Sequence, residues 1–190
     1  MNAIELNTHR LLLRQWIEND FPKFAEMNSN DNVMRYFPDK LSETESSTLA
    51  EKISKQISER GWGLWALEEK STNEFIGFTG LNPTPSELIF SPAIEIGWRL
   101  SDKKWGKGYA TEAAKEVLRF AFENLQLGEV VSFTTVTNTK SLAVMKRIGM
   151  VNTGSNFMHP LVPDNHPLKE HILYKINKVQ WLKNALWSGN

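Results

Sequence analysis

The chain has 190 residues, a length that suits one domain with a substantial core. Lysine plus arginine number 22 and aspartate plus glutamate 22, a balance that gives no general attraction to nucleic acid or to an anionic membrane. There are no cysteines, which excludes disulfides, thiolate metal sites and a cysteine nucleophile, and fits a reducing compartment.

Met1 to Trp16 lacks the basic start and long apolar run of a signal peptide. No stretch reaches the roughly 18 uncharged apolar residues of a membrane span. The expectation is a cytoplasmic protein with no membrane contact and no direct contact with nucleic acid. The run 10–16, from Arg10 to Trp16, has strand length and apolarity. Over 18–27, Phe21, Phe24 and Met27 recur about one turn apart, as in an amphipathic helix. A second helix is predicted over 42–60, opened by a capping box in which Ser42 and Glu45 satisfy each other's neighbouring N–H groups.

From Trp62 the period shortens. Residues 63–67 and 75–81 read as strands joined by turn chemistry at 71–73, and 81–92, with Pro83 and Pro85, reads as a loop. Residues 94–100 alternate: Ile94, Ile96, Trp98 and Leu100 on one face, Glu95, Gly97 and Arg99 on the other. Helical period returns over 111–125, with Ala114, Val117, Leu118, Ala121 and Leu125 on one stripe. Residues 130–136 are strand-like. A short helix over 138–148 has Asn138 as N-cap, Lys146 and Arg147 near its negative end and Gly149 as a left-handed stop. Strands are predicted over 150–157 and 171–176, and a last helix over 178–187. The alternation implies an α/β sheet with helices on both faces.

Between the alternating strand and the long helix lies Trp105-Gly-Lys-Gly-Tyr-Ala110. A glycine-rich turn feeding a helix N-terminus presents free N–H groups and the positive end of the dipole, which suits a phosphate. Lys103, Lys104 and Lys107 place positive charge nearby. A tight turn that binds nothing is the alternative. The spacing fits neither a Walker A loop nor the dinucleotide fingerprint, because position 111 is Thr where the latter needs Gly or Ala.

Taken in order, Ile94-Glu-Ile-Gly-Trp-Arg-Leu-Ser101, Trp105 to Ala113, Asn138-Thr-Lys-Ser141 and Ile148-Gly-Met150 resemble the core of the GNAT (Gcn5-related) N-acetyltransferases. With His9-Arg-Leu-Leu-Leu-Arg14 as first strand, the resemblance narrows to the RimJ/RimL-like branch that acetylates ribosomal-protein N-termini, and it spans nearly the whole chain. It implies a single domain over 1–190, with an α/β (α+β) fold. The implied sheet is mixed and mostly antiparallel, of about seven strands splayed at the middle. It implies acetyl-CoA as cosubstrate, no metal, an amine-bearing acceptor such as a protein or peptide N-terminus or a small amine, and a monomer or homodimer. The family's pyrophosphate loop, Q/R-x-x-G-x-G/A, falls on Trp105, Gly108 and Ala110, with Trp in place of Gln or Arg. By the same resemblance the coenzyme is held by Ile96, Gly97 and Trp98, by Trp105, Gly106, Lys107, Gly108, Tyr109, Ala110 and Thr111, and by Asn138 and Ser141. The pantetheine would pair with the 94–100 strand, where Gly97 fits a bulge or a close backbone approach.

Direct attack by an amine on a thioester needs a held cosubstrate, a proton acceptor and stabilisation of the developing oxyanion. Glu95 is the candidate general base, directly or through water, with a structural carboxylate as the alternative. The oxyanion-stabilising N–H is expected near Gly97 and Trp98. Arg99 shares Glu95's face but lies roughly 13 Å along the strand, too far for direct pairing; orienting the substrate or another acidic group is the reading for it. Ser141 is the candidate donor to the departing thiolate, and Asn138 doubles as cap and ligand contact. Many relatives carry a Tyr seven residues after this Asn; here it is Met145, which leaves Ser141, a water, Tyr174 or no acid at all. His159, His166 and His171 read as an acceptor-side loop with one alternative base, their spacing being too wide for a metal site. Trp16, Trp62, Trp65 and Phe37 read as core or as walls of the acceptor cleft. The competing functional reading is a non-catalytic acyl-CoA-binding regulatory module on the same fold.

Overall fold

The computed structural model of the protein describes residues 3–187. In chain order it contains β1 (Leu6–Asn7), β2 (Leu11–Arg14), a 3-10 turn (Glu18–Asp20), α1 (Phe21–Ser29), α2 (Asp31–Met34), α3 (Glu43–Arg60), β3 (Leu64–Glu69), β4 (Glu74–Pro83) and β5 (Ile94–Leu100). A second 3-10 turn (Asp102–Lys104) follows, then α4 (Tyr109–Glu123), β6 (Glu129–Thr135), α5 (Thr139–Arg147), β7 (Val151–Met158), β8 (Glu170–Asn177) and α6 (Lys178–Trp187). The strands run in the order β1-β2-β3-β4-β5-β6-β8-β7. The β5–β6 pair is parallel, with Glu95 opposite Val131, and the pairs β1–β2, β2–β3, β3–β4, β6–β8 and β7–β8 are antiparallel. The mixed, mostly antiparallel α/β sheet expected from the sequence is present, with eight strands rather than about seven. The extra one, β1, is only two residues long, too short to carry a period of two.

The chain forms two compact units. The first takes the residues up to Asn82 together with Gly97–Val117; the second takes Pro83–Ile96 and everything from Leu118 onward. Strand β5 and helix α4 each pass from one unit into the other.

In the first unit, Trp16, Phe24, Phe75 and Phe78 interlock. The Trp16 and Phe24 rings meet edge to face at 4.9 Å, and Phe24 and Phe78 at 5.9 Å, an arrangement favoured by ring quadrupoles. Trp65 is fully buried as well, and the Trp16 indole N–H donates to the Leu64 carbonyl at 2.7 Å. Helix α3 starts as its sequence predicts: the Ser42 N–H donates to the Glu45 carboxylate at 2.8 Å and the Glu45 N–H to the Ser42 hydroxyl at 3.3 Å, closing the capping box. On β2, Arg14 donates to buried Asp20 at 2.7 and 2.9 Å and to Glu68 at 2.7 Å. The guanidinium pKa is raised, chiefly by the bond to Asp20.

In the second unit the core is built from Leu118, Phe120, Ala121 and Phe122 of α4, Val130 of β6, Met145 and Ile148 around α5, and Tyr174 and Ile176 of β8. Phe122 meets Trp181 of α6 at 5.4 Å. Gly149 ends α5 at φ +86°, the left-handed stop its position predicts.

Candidate active site

The loop between β5 and α4 lies in the first unit. Gly106 and Gly108 adopt φ +74° and +82°, a left-handed geometry that side chains with a Cβ resist by about 1–2 kcal/mol. A Cβ on Gly106 would meet nothing, and one on Gly108 would only touch Arg10 at 3.5 Å. Backbone conformation, not crowding, therefore calls for glycine at these positions. The consequence is a row of open donors. The Trp105 N–H is bonded to the Asp102 carbonyl and the Glu112 N–H to the Gly108 carbonyl. Among the described residues the N–H groups of Gly106, Lys107, Gly108, Tyr109, Ala110 and Thr111 have no acceptor. Six consecutive unpaired amides at the start of a 15-residue helix form a cradle for negative charge.

Side chains hold this cradle in shape from beneath. The Arg10 guanidinium donates to the Lys107 carbonyl at 2.9 Å and to Glu112 at 2.7 Å, and it stacks over the Tyr109 ring at 4.4 Å. Glu112 also accepts from the Thr8 hydroxyl at 2.6 Å and the Arg10 N–H at 2.8 Å. The Tyr109 phenol donates to Glu69, whose carboxyl is held down at about 2, chiefly by Lys104 and then by Tyr109. The Trp105 indole N–H donates to the Leu100 carbonyl at 2.9 Å, so its side chain braces the loop. The positive charge expected at the loop is smaller than the lysine count implies. Lys104 is spoken for by Glu69 at 2.5 Å and Glu74 at 3.1 Å, and Lys103 by Glu26 at 3.2 Å. Exposed Lys107 has no carboxylate partner among the described residues.

Strand β5 carries Glu95, Ile96, Gly97, Trp98 and Arg99. Ile96 is fully buried, so only its backbone can meet a ligand, and the Gly97 carbonyl accepts from the Thr79 hydroxyl at 2.9 Å. A close backbone approach to this strand is made by the neighbouring one, where a Cβ on Gly77 would come within 2.2 Å of the Arg99 carbonyl. Glu95 lies in the second unit. It has no hydrogen bond or ion pair to any described residue, and part of its surface still meets solvent. Protein nevertheless surrounds the carboxylate closely enough that burial pushes its pKa up to about 7. Without a compensating donor, desolvation favours the neutral acid, and the resulting value is that of an effective general base near neutral pH.

Asn138 and Ser141 meet in the second unit. The Asn138 carboxamide oxygen accepts from the Ser141 N–H at 3.3 Å, and its NH2 donates to the Thr134 hydroxyl at 2.9 Å and the Ser141 hydroxyl at 3.1 Å. Its capping role is thereby filled. Ser141 Oγ accepts from Asn138, and its own hydroxyl proton has no acceptor among the described residues. Met145, in the place where many relatives have Tyr, is buried in the core, as is Tyr174. The His159 and His171 rings lie 4.8 Å apart, tilted by 47°, with Phe133 and Phe157 around them. Burial lowers both imidazoles, His171 to about 4. His166 instead accepts from the Leu168 N–H at 3.2 Å. Among the described residues no three His, Cys, Asp or Glu side chains converge on one point, and no helix is long and apolar enough to cross a membrane.

Two parts of the site carried no local signal in the sequence. The Arg10–Glu112 brace joins residues 102 positions apart, and Asn28, which holds Arg99 at 2.6 Å, lies 71 positions from it. Arg10 could have been singled out as a charge at a strand edge; Asn28 offered nothing.

Residues 10–151 match the family model described as an acetyltransferase (GNAT) domain. FsC-acetyl coenzyme A-N(2)-transacetylase of Aspergillus fumigatus is 34% identical over 127 residues, 65% of this chain, and the chain spans about half (53%) of that relative's length. An uncharacterised protein of Bacillus subtilis, YkkB, is 32% identical over 154 residues, covering 79% of this chain and 87% of its own. In three dimensions, RimJ of Mycobacterium smegmatis, solved in complex with CoA-disulfide, superposes with a TM-score of 0.77 at 18% identity, covering 100% of this chain and 98% of that one; that likeness is one of fold.

Proposed function

Because the chain belongs to the GNAT acetyltransferase family, we propose that it carries the acetyl group of acetyl-CoA to a primary amine, on a protein or peptide N-terminus or on a small molecule, by direct attack in a ternary complex. The observation that carries this reading is the row of unpaired amides from Gly106 to Thr111. They suit the diphosphate of coenzyme A because they supply several N–H donors and a helix dipole without a committed counter-charge. Thr8, Arg10 and Glu112 keep the cradle fixed before the cosubstrate arrives, so little ordering cost falls on binding.

Glu95 acts as the general base. An amine at neutral pH is mostly ammonium and must lose a proton before its lone pair can attack. A carboxylate that titrates near 7 accepts that proton far better than one at the ordinary value, directly or through a water. The amine nitrogen then bonds to the thioester carbonyl carbon, and the negative charge moves to the carbonyl oxygen, where a backbone N–H of Gly97 or Trp98 stabilises it. Collapse breaks the carbon–sulfur bond. The proton still carried by the attacking nitrogen passes, directly or through water, to the Ser141 hydroxyl as that hydroxyl gives its own proton to the thiolate, so the amide, the thiol and Ser141 all end neutral; the hydroxyl hydrogen has no acceptor among the described residues, and Asn138 orients that hydroxyl. Buried Met145 takes no part; a thiol leaves readily enough for a weak donor to suffice. Acetyl transfer to an N(2) nitrogen, as the Aspergillus relative's name gives it, fits the same chemistry with the amine as acceptor.

The test is turnover. Purified protein with acetyl-CoA and a panel of N-terminal peptides, polyamines and aminoglycosides is expected to release free thiol in step with acetylated amine. Release of thiol without acetylated amine, or tight coenzyme binding with no turnover across the panel, would overturn the proposal.

A further inference from the structure

Arg99 is a cation without a counter-charge. Its Nη1 donates to Asn28 Oδ1 at 2.6 Å, its guanidinium carbon sits 4.1 Å from the Phe37 ring centroid and 5.5 Å from that of Phe78, and its Nε is buried with no hydrogen-bond partner. No carboxylate among the described residues pairs with it, and burial lowers its pKa to about 10. The buried arginine of the same unit shows what this fold does with a guanidinium it needs only for structure: Arg14 is neutralised by Asp20 and Glu68. Arg60 also has a buried, unbonded Nη1, but it lies in the last turn of α3, where the negative helix end offsets its charge. Arg99, on a strand, has no such offset.

A desolvated cation left unpaired is costly, and the surroundings of Arg99 hold it in place. Asn28 is fully buried and is itself oriented by a hydrogen bond from its NH2 to the buried Ser46 hydroxyl at 3.1 Å. Phe37, 38% exposed, covers one face of the guanidinium. With Nη1 committed to Asn28 and Nε enclosed by protein, Nη2 is the guanidinium nitrogen that is neither bonded nor sealed from solvent. From there it can donate a charge-assisted hydrogen bond to a carboxylate oxygen, which also brings the missing negative charge beside the guanidinium.

We propose that Arg99, held by Asn28 and flanked by Phe37, is the binding site for a carboxylate of the acceptor, so that the preferred substrate is an amine that also carries a carboxylate. This rests on the acetyltransferase reading. The alternation of β5 supports it, since Arg99 falls on the face given to Glu95 and Gly97. A bound carboxylate supplies the missing counter-charge, and an uncharged acceptor leaves it missing, so the site discriminates by charge.

The experiment compares a short oligoglycine series, each member as free acid and as C-terminal amide, with acetyl-CoA saturating. The expected result is a kcat/KM at least about tenfold higher for the acid than for its amide. In Arg99→Gln the ratio should fall to near one with the KM for acetyl-CoA unchanged, and Arg99→Lys should restore part of the preference. Equal turnover of acid and amide by the native protein, or a preference that survives in Arg99→Gln, overturns the carboxylate site while leaving acetyl transfer intact. If no member is acetylated, the acetyltransferase reading fails for this class of acceptor. The site is then judged by titrating the native protein with triglycine acid and triglycine amide and following the Arg99 Nε–H signal by NMR. A shift with the acid alone supports the site, and no shift with either overturns it.

Discussion

Replacing Glu95 by glutamine separates what the side chain does for catalysis from what it costs the fold. The carboxyl is raised from 4.5 to about 7 by burial, so the native state disfavours the charged form. For a group raised in this way, the penalty is absent below pH 4.5, grows as pH rises through the interval, and is complete above about 7. At 1.36 kcal/mol per pH unit its ceiling is about 3 kcal/mol, and solvent reaching the part-open side chain reduces it to about 1–3 kcal/mol. Glutamine keeps the shape and carries no charge, so Glu95→Gln should be more stable than the native protein at pH 8 by this amount. For a chain of this size that is roughly 3–10 °C in Tm; at pH 5 most of the difference should vanish. Activity should move the other way, falling roughly 10²–10⁴-fold. Native kcat/KM should climb through a midpoint near pH 7 that the variant lacks. Thermal melts at pH 5 and 8, paired with a pH–rate profile, read both effects. A stability difference that does not change with pH, or a variant that keeps native turnover, would refute the reasoning.

Gly108→Val should fold, because the space beside Gly108 is open, but a β-branched residue at φ +82° distorts the amide row, and coenzyme A affinity measured by calorimetry should drop at least about tenfold. Asn138→Ala should cost about 1 kcal/mol of stability through the lost N-cap. Ser141→Ala should leave the Tm nearly unchanged and lower kcat several-fold; equal effects of the two on stability would contradict their division of labour. Arg14→Met leaves Asp20 and Glu68 without their partner and should destabilise by about 3–5 kcal/mol in urea unfolding.

Local patterns in the chain were informative wherever structure follows from neighbours in sequence. The alternation of 94–100 and the N-cap, basic last turn and glycine stop of α5 each follow from rules that reach no further than a few residues, and each is found where expected. The Gly106–Gly108 turn likewise advertised its conformation. What stayed hidden depends on residues brought together from far apart. Lys103 and Lys104 look like free positive charge beside the loop until Glu26, Glu69 and Glu74 arrive from other elements. The sequence singles out Glu95 as a candidate base but does not show the packing that raises its pKa, and it offers Arg99 as a group that orients the substrate or another acid but does not show the Asn28 and Phe37 that enclose it. The one-turn helix α2 and the two-residue β1 are too short to show a period.

The central claim is that the open amides from Gly106 to Thr111 receive the diphosphate of coenzyme A. Titrating 15N-labelled protein with coenzyme A and following the backbone N–H signals tests it directly. The expected result is that the signals of residues 106–111 shift in a saturable way and gain protection from hydrogen exchange. Saturable binding that leaves these six signals unmoved would contradict the claim.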